Sequence, residues 1–189
     1  MNDDKEKLLA VVREYYGRVV WTHKTHEKDR ELSSSRAKQD KWINVVLISL
    51  TTTGVLVSIP FGEPWLTIAT ALLAFVSTGF ALYQVSFSPE ESAYKHRQAA
   101  KSLLIERDNL VLLIEKLMAS DTDVEKIRKD ANLIIQRVGH VYSSAPDTTS
   151  KAFELAGKAL KFNEEFTFSE TELDWLLPEQ LRVNDSSPE

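Results

Sequence analysis

Two stretches of this chain carry no charge. From Trp42 to Gly62 there is no Asp, Glu, Lys, Arg or His, and from Pro64 to Pro89 there is again none. Between them stands SIPFGEPW, residues 58–65, whose two prolines, glycine and lone glutamate are turn signals. A bilayer core about 30 Å thick takes about 20 apolar residues of helix. WINVVLISLTTTGVLVSIPF (42–61) and WLTIATALLAFVSTGFALYQVSF (65–87) both reach that length. A surface helix of a soluble protein would show a charged stripe, because one face meets water. Neither segment has one, and a chain of 189 residues is too short to bury both all round. A transmembrane hairpin is therefore expected over residues 42–87. The mean hydropathy of −0.24 conceals it by averaging the spans with a polar remainder.

The flanks set an orientation. Lys28, Arg30, Arg36, Lys38 and Lys41 precede the first span, and Lys95, Arg97 and Lys101 follow the second. The loop FGEP has no basic residue. Lys and Arg resist translocation, so both termini are expected in the cytoplasm and the loop outside. Trp42 and Trp65 belong at headgroup level. The start MNDDKEKLLA lacks the basic and apolar regions of a secretory signal. The absence of cysteine excludes disulfides and thiolate metal sites.

Four segments follow: a cytoplasmic arm (1–41), the hairpin (42–87), a cytoplasmic helical region (88–163) and a short helix with a tail expected to be disordered (164–189). Residues 1–41 carry ten basic and eight acidic side chains and residues 90–189 carry thirteen and nineteen; the whole chain stands at −5. That balance excludes a nucleic-acid binder, which needs a broad basic face.

The arm opens as an amphipathic helix with Leu8, Val12, Tyr15 and Val19 at helical spacing and Tyr16 and Val20 beside them. The stripe ends near Trp21. THKTHEKDRELSSSRAKQDK then reads either as a solvated helix leading to the bilayer or as a helix broken at Ser33–Ser35. Beyond the spans, SPEE gives an N-cap at Ser88, Pro89 at the first helical position and Glu91 reaching back to the cap. Thr122 with Glu125 is expected to start the next helix in the same way. Heptad positions Ala100, Leu103, Arg107, Leu110, Ile114 and Leu117 on one helix, and Val124, Ile127, Ala131, Ile134, Val138 and Val141 on the other, predict an antiparallel hairpin with the two seams against each other. A weaker helix is expected over about 150–162, and Ser169 with Glu172 caps a last turn or two. The fold class is all-α.

Chemistry is sparse. His23 and His26 share a helical face beside Glu27 but lack a third convincing ligand, so they read as polar surface, with no metal site. His96 beside Arg97 reads as a headgroup-level cation and His140 as a surface residue. No nucleophile elbow or Gly-rich phosphate loop occurs. No enzyme activity and no cofactor are expected. The spans say more: Asn44, Leu47, Thr51, Gly54 and Ser58 fall on one face of the first, and Thr67, Thr70, Ala74, Ser77, Ala81 and Gln84 on one face of the second. Small and hydroxylated residues in lipid belong where helices touch. In an oligomer the same face can instead border a polar pathway, though without rings of charge.

The layout resembles the SLATT domains, the two-transmembrane effectors associated with SMODS nucleotidyltransferases and SLOG sensors in bacterial defence loci. The resemblance covers roughly residues 5–165 and rests on LLAVVREYYGRVVW, the lead HEKDRELSSSRAKQDKW, the close-coupled spans and EESAYKHRQAAKSLLIERDNLVLLIEK. It implies a membrane-perturbing, pore-forming homo-oligomer in the lipid bilayer, active in antiviral defence of the abortive-infection type. A separately encoded sensor or nucleotide-signal synthetase would supply the trigger. The alternative is a membrane-anchored scaffold whose helical hairpin recruits a cytoplasmic partner and conducts nothing.

Overall fold

The longest element is one helix that runs from the N-terminal arm through the first span. In the computed structural model, which describes residues 3–119, 123–163, 165, 166, 168–176, 178 and 182, helix α1 covers Asp3–Phe61. At 1.5 Å per residue its 59 residues make a rod of about 90 Å. No proline or glycine interrupts it from Arg18 to Thr53. The run Ser33–Ser35 does not break it, which settles the alternative in favour of a continuous helix. Serine is only a few tenths of a kcal/mol poorer than alanine in a helix. Here its small size is useful: Ser33 Oγ lies 3.4 Å from Ser92 Oγ at a close helix crossing. The boundary at residue 41 is therefore a change of environment and not of backbone.

The rod ends at the expected tip. Gly62 adopts φ +64 and its amide donates to Ser58 O at 3.1 Å, a left-handed glycine stop. Helix α2 (Pro64–Ser86) then returns with proline at its first position. Helix α3 (Pro89–Met118) starts after a short break at Phe87–Ser88, where Ser88 Oγ accepts from Glu91 N at 3.3 Å. The Glu91 side chain does not reach back as expected; it pairs with Lys95 at 2.7 Å instead.

Across that break the pairing with α1 stays in one antiparallel register. Gly54 faces Thr70, Thr51 faces Ser77, Asp40 faces Gln84, Ser33 faces Ser92, His26 faces His96 and His23 faces Ala100. At the far end Lys5 Nζ donates to Ala119 O at 2.6 Å, a cation on the carbonyl end of α3. So α2 and α3 together form the second arm of one long hairpin whose upper half is apolar outside.

Helices α4 (Val124–Ser144), α5 (Ser150–Lys161) and α6 (Glu170–Leu176) complete the lower half. Thr122 lies outside the described residues, and the N-cap of α4 is Asp123, which accepts from Lys126 N at 3.1 Å. The tail from 183 also lies outside them. Ser169 and Glu172 form a reciprocal cap, with amide bonds of 3.3 and 2.8 Å. No strand occurs among the described residues.

The core is a three-helix one. Leu103, Leu110 and Leu117 are fully buried, and Ile127, Ile134 and Val138 close over them, with Val141 half-buried at the edge. Leu8, Val12 and Val19 of α1 join the same cluster. The seams of α3 and α4 thus pack against each other and against α1, not against each other alone. Glu106 holds the α3–α4 side together: burial pushes its carboxyl up, but the Arg137 fork at 2.7 and 2.9 Å and Asn109 at 3.1 Å outweigh this and keep it below the usual range. Helix α5 lies on α1 through Ala152, Ala156 and Ala159. The small Gly157 admits Trp21, whose ring stands 5.2 Å from Phe153.

Candidate functional site

The site is the membrane hairpin together with the junction directly beneath it. Between the spans, a Cβ added at Gly54 would stand 2.7 Å from Thr70 Oγ1, so opposite Thr70 only glycine fits at this separation. Thr70 is buried, and its hydroxyl donates to Leu66 O at 2.8 Å. The Thr51 and Ser77 hydroxyls lie 3.1 Å apart, each also near its own helix's carbonyls at 2.8 and 2.9 Å. Gln84 Nε2 donates to Asp40 O at 2.8 Å at the end of the spans nearer the bundle. Asn44 and Ser58 are half-buried on the same side of α1, and Ser58 donates to Val55 O at 2.9 Å. Thr67 is exposed near the tip and 3.5 Å from Glu63 O. Most of the polar face therefore closes within one chain.

A second polar stripe points outward. Ser49, Thr52 and Thr53 sit near the middle of the first span, all exposed, and among the described residues their hydroxyls make no hydrogen bond. The apolar residues around them, Ile48, Leu50, Val55 and Leu56, are exposed as well. The signal was present in the sequence as the run TTT, but only its first member was assigned a face.

Beneath the spans lies a buried histidine junction. The structure overturns the polar-surface reading of His23 and His26. His23, Lys24, Thr25, His26 and Asp29 are each no more than 5% exposed. His96 is 4% exposed and not a headgroup cation. His26 Nδ1 lies 2.9 Å from His96 Nδ1, which requires one nitrogen to carry the proton and the other to accept it. His23 Nδ1 is 2.8 Å from the Ala100 carbonyl, so it is the protonated nitrogen and donates. Burial lowers all three pKa values. For His26 the fall reaches about 4, with His96 adding to it and Asp29 opposing. The three rings are uncharged at neutral pH.

Charge is nonetheless present and paired around them. Asp29 accepts from the Thr149 amide at 2.9 Å and hydroxyl at 2.6 Å, pinning the start of α5 to α1. Burial would lower Lys24, but Glu165 at 2.5 Å and Glu27 at 2.8 Å outweigh it and hold the amine charged. His140 is exposed, as read. Among the described residues no group of three His, Cys, Asp or Glu side chains is arranged to hold a metal.

Two helices of this chain are long and apolar enough to cross a membrane. The family model of the SMODS and SLOG-associating 2TM effector domain family 4 matches residues 8–172. The chain belongs to that family. It is thus a two-transmembrane SLATT effector domain, and the matched range takes in most of the arm, both spans, the bundle and the first three residues of α6. No curated protein and no solved structure matches the chain.

Proposed function

We propose that this SLATT domain is the membrane effector of a bacterial antiviral system of the abortive-infection type. Copies of it associate in the inner membrane, with both termini cytoplasmic, and permeabilise that membrane when a separately encoded sensor or nucleotide-signal synthetase triggers them. The observation that carries the reading is the outward stripe of Ser49, Thr52 and Thr53. A hydroxyl left without a partner in an apolar medium costs roughly 2–7 kcal/mol. At mid-membrane depth it turns to a carbonyl of its own helix, as the Thr70 and Ser77 hydroxyls do, to another helix or to water. A neighbouring copy supplies the second and a breached bilayer the third.

The unbroken α1 supports a route for the signal. A flexible linker between receiver and span would absorb a displacement of the bundle. A continuous rod instead passes any tilt of residues 3–41 into residues 42–61. The scaffold alternative has its own support: the bundle exposes Ile105, Leu112 and Leu133, 61, 57 and 53% accessible, on its α3–α4 side. Expression in cells with a membrane-potential dye separates the two. Triggered or overexpressed chain should depolarise the membrane, and the Thr52→Val, Thr53→Val pair should suppress this while leaving insertion intact. Sustained polarisation with the wild-type chain, alongside capture of a partner by the bundle, would favour the scaffold.

A further inference from the structure

At the foot of the spans, α1 and α3 part enough to leave a groove of about 340 Å³. Its floor is small: Ala37 and Ala93, 8 and 9% exposed, stand where larger side chains would fill the space. Its walls are cationic, formed by Arg30, Lys38, Lys41 and Arg97, with Tyr94 as an aromatic side. The one carboxylate lining it, Glu90, is neutralised in an ion pair with Lys41. Arg30 makes a loose exposed pair with Glu31 at 3.6 Å. Lys38 and Arg97 have no ion pair or hydrogen bond among the described residues. Two unpaired cations beside a half-open groove form an anion site in shape and in charge.

The position of the groove defines the anion. Lys41 directly precedes the first span at Trp42, and Lys38 lies one turn, about 5 Å, below it. Headgroups occupy a layer of about 5–8 Å on each side of the hydrocarbon core. The upper end of the groove, at Lys38 and Lys41, is thus at headgroup depth, and Arg97, about 15 Å below the end of the second span at Phe87, extends up toward it because helical side chains lean toward the N-terminus of α3. A guanidinium fork and an ammonium together suit a phosphate monoanion.

Resting on the membrane reading above, we propose that the groove between Ala37 and Ala93 binds the phosphate of an anionic phospholipid headgroup in the leaflet that faces the bundle, through Lys38 and Arg97. A lipid clasped there would tie α1 to α3 at the height where α2 gives way to α3, and so fix the depth and tilt of the rod. Free phosphate shares the chemistry and serves as the competing ligand.

The full chain is reconstituted in vesicles of equal phosphatidylglycerol and phosphatidylcholine, and insertion is checked by resistance to alkaline extraction. It is then taken into detergent, and retained lipid is counted by native mass spectrometry. Phosphatidylglycerol should be retained in preference, and Lys38→Ala with Arg97→Ala should weaken its retention about thirtyfold. Lys126→Ala with Lys129→Ala, the same charge change on exposed positions of α4, should leave it as it was. Inorganic phosphate should not displace the lipid. A double variant that inserts and retains phosphatidylglycerol like the wild type overturns the clasp and leaves the hairpin standing. Phosphate binding that depends on Lys38 and Arg97, without lipid preference, assigns the groove to a soluble anion and overturns the lipid. A chain stripped from the vesicles by alkali overturns the hairpin and the clasp together.

Discussion

Acidification should loosen the junction between bundle and membrane, and the size of the effect follows from His26. Its ring is 2% exposed and shares one proton with His96 across 2.9 Å. Burial would leave an added charge poorly solvated, and a second proton in that gap would set two N–H groups against each other. The pKa accordingly falls from 6.5 to about 4 on folding. A histidine depressed in this way costs nothing above its unfolded value. As pH drops below 6.5 the unfolded state takes up the proton first, so stability is lost until the folded pKa near 4 is reached. From about pH 7.5 to about pH 5, the two pKa values give a loss of about 2 kcal/mol for His26 alone. His23 and His96, both lowered by burial, shift the same way and add to it. Around these rings stand Glu27 and Asp29 of α1 and Arg107 of α3, so the test must isolate one residue. Urea unfolding of the bundle in detergent micelles, followed by circular dichroism at both pH values, gives the slope. His26→Gln keeps a donor and an acceptor but cannot titrate, and it should remove about 2 kcal/mol of that dependence. Equal pH dependence in wild type and variant would refute the reasoning.

Other consequences can be measured separately. Leu110→Ala should cost about 3 kcal/mol in the same unfolding assay, because the side chain is 1% exposed, whereas Leu112→Ala, at 57%, should stay within about 0.5. Gly54→Ala should force the spans apart and lower disulfide formation in a Thr51→Cys, Ser77→Cys pair, which reports cleanly in a cysteine-free chain; adding Thr70→Ala removes the clashing atoms and should restore it. Asp29→Ala should release α5, seen as faster hydrogen exchange over residues 150–161, at a cost of roughly 1–3 kcal/mol for the unpaired Thr149 groups.

Much of the layout was written in the hydropathy. The spans end where the charge-free runs end, and Ser88, Gly62 and the alternation of small residues on the inner faces mark the turns and the contact. These signals are local, set by transfer energies and caps that a short window contains. The junction was not local. His23 and His26 look like surface because polarity usually means water, and their partners, Ala100 and His96, lie more than sixty residues away. Asp29 looks solvated until Thr149 arrives from the far end of the bundle. The seam on α3 was legible as an apolar period, but the period does not say which helix fills the groove. Only the three-dimensional register shows α1 sharing that role with α4. Ser33–Ser35 was ambiguous because propensity is weak beside packing, and packing there is set by α3.

Transfer of a signal through α1, as proposed, requires one rigid rod from the bundle into the bilayer. Two spin labels test it, at Arg18 and Leu56, both exposed and on either side of the serine run and the membrane boundary. In nanodiscs, with unlabelled chain in excess to suppress distances between copies, a straight helix over these 38 steps places the backbones about 57 Å apart. One narrow distribution near that distance is the predicted result. A broad distribution centred well below it would mean a hinge between bundle and span, and would rule out that transfer.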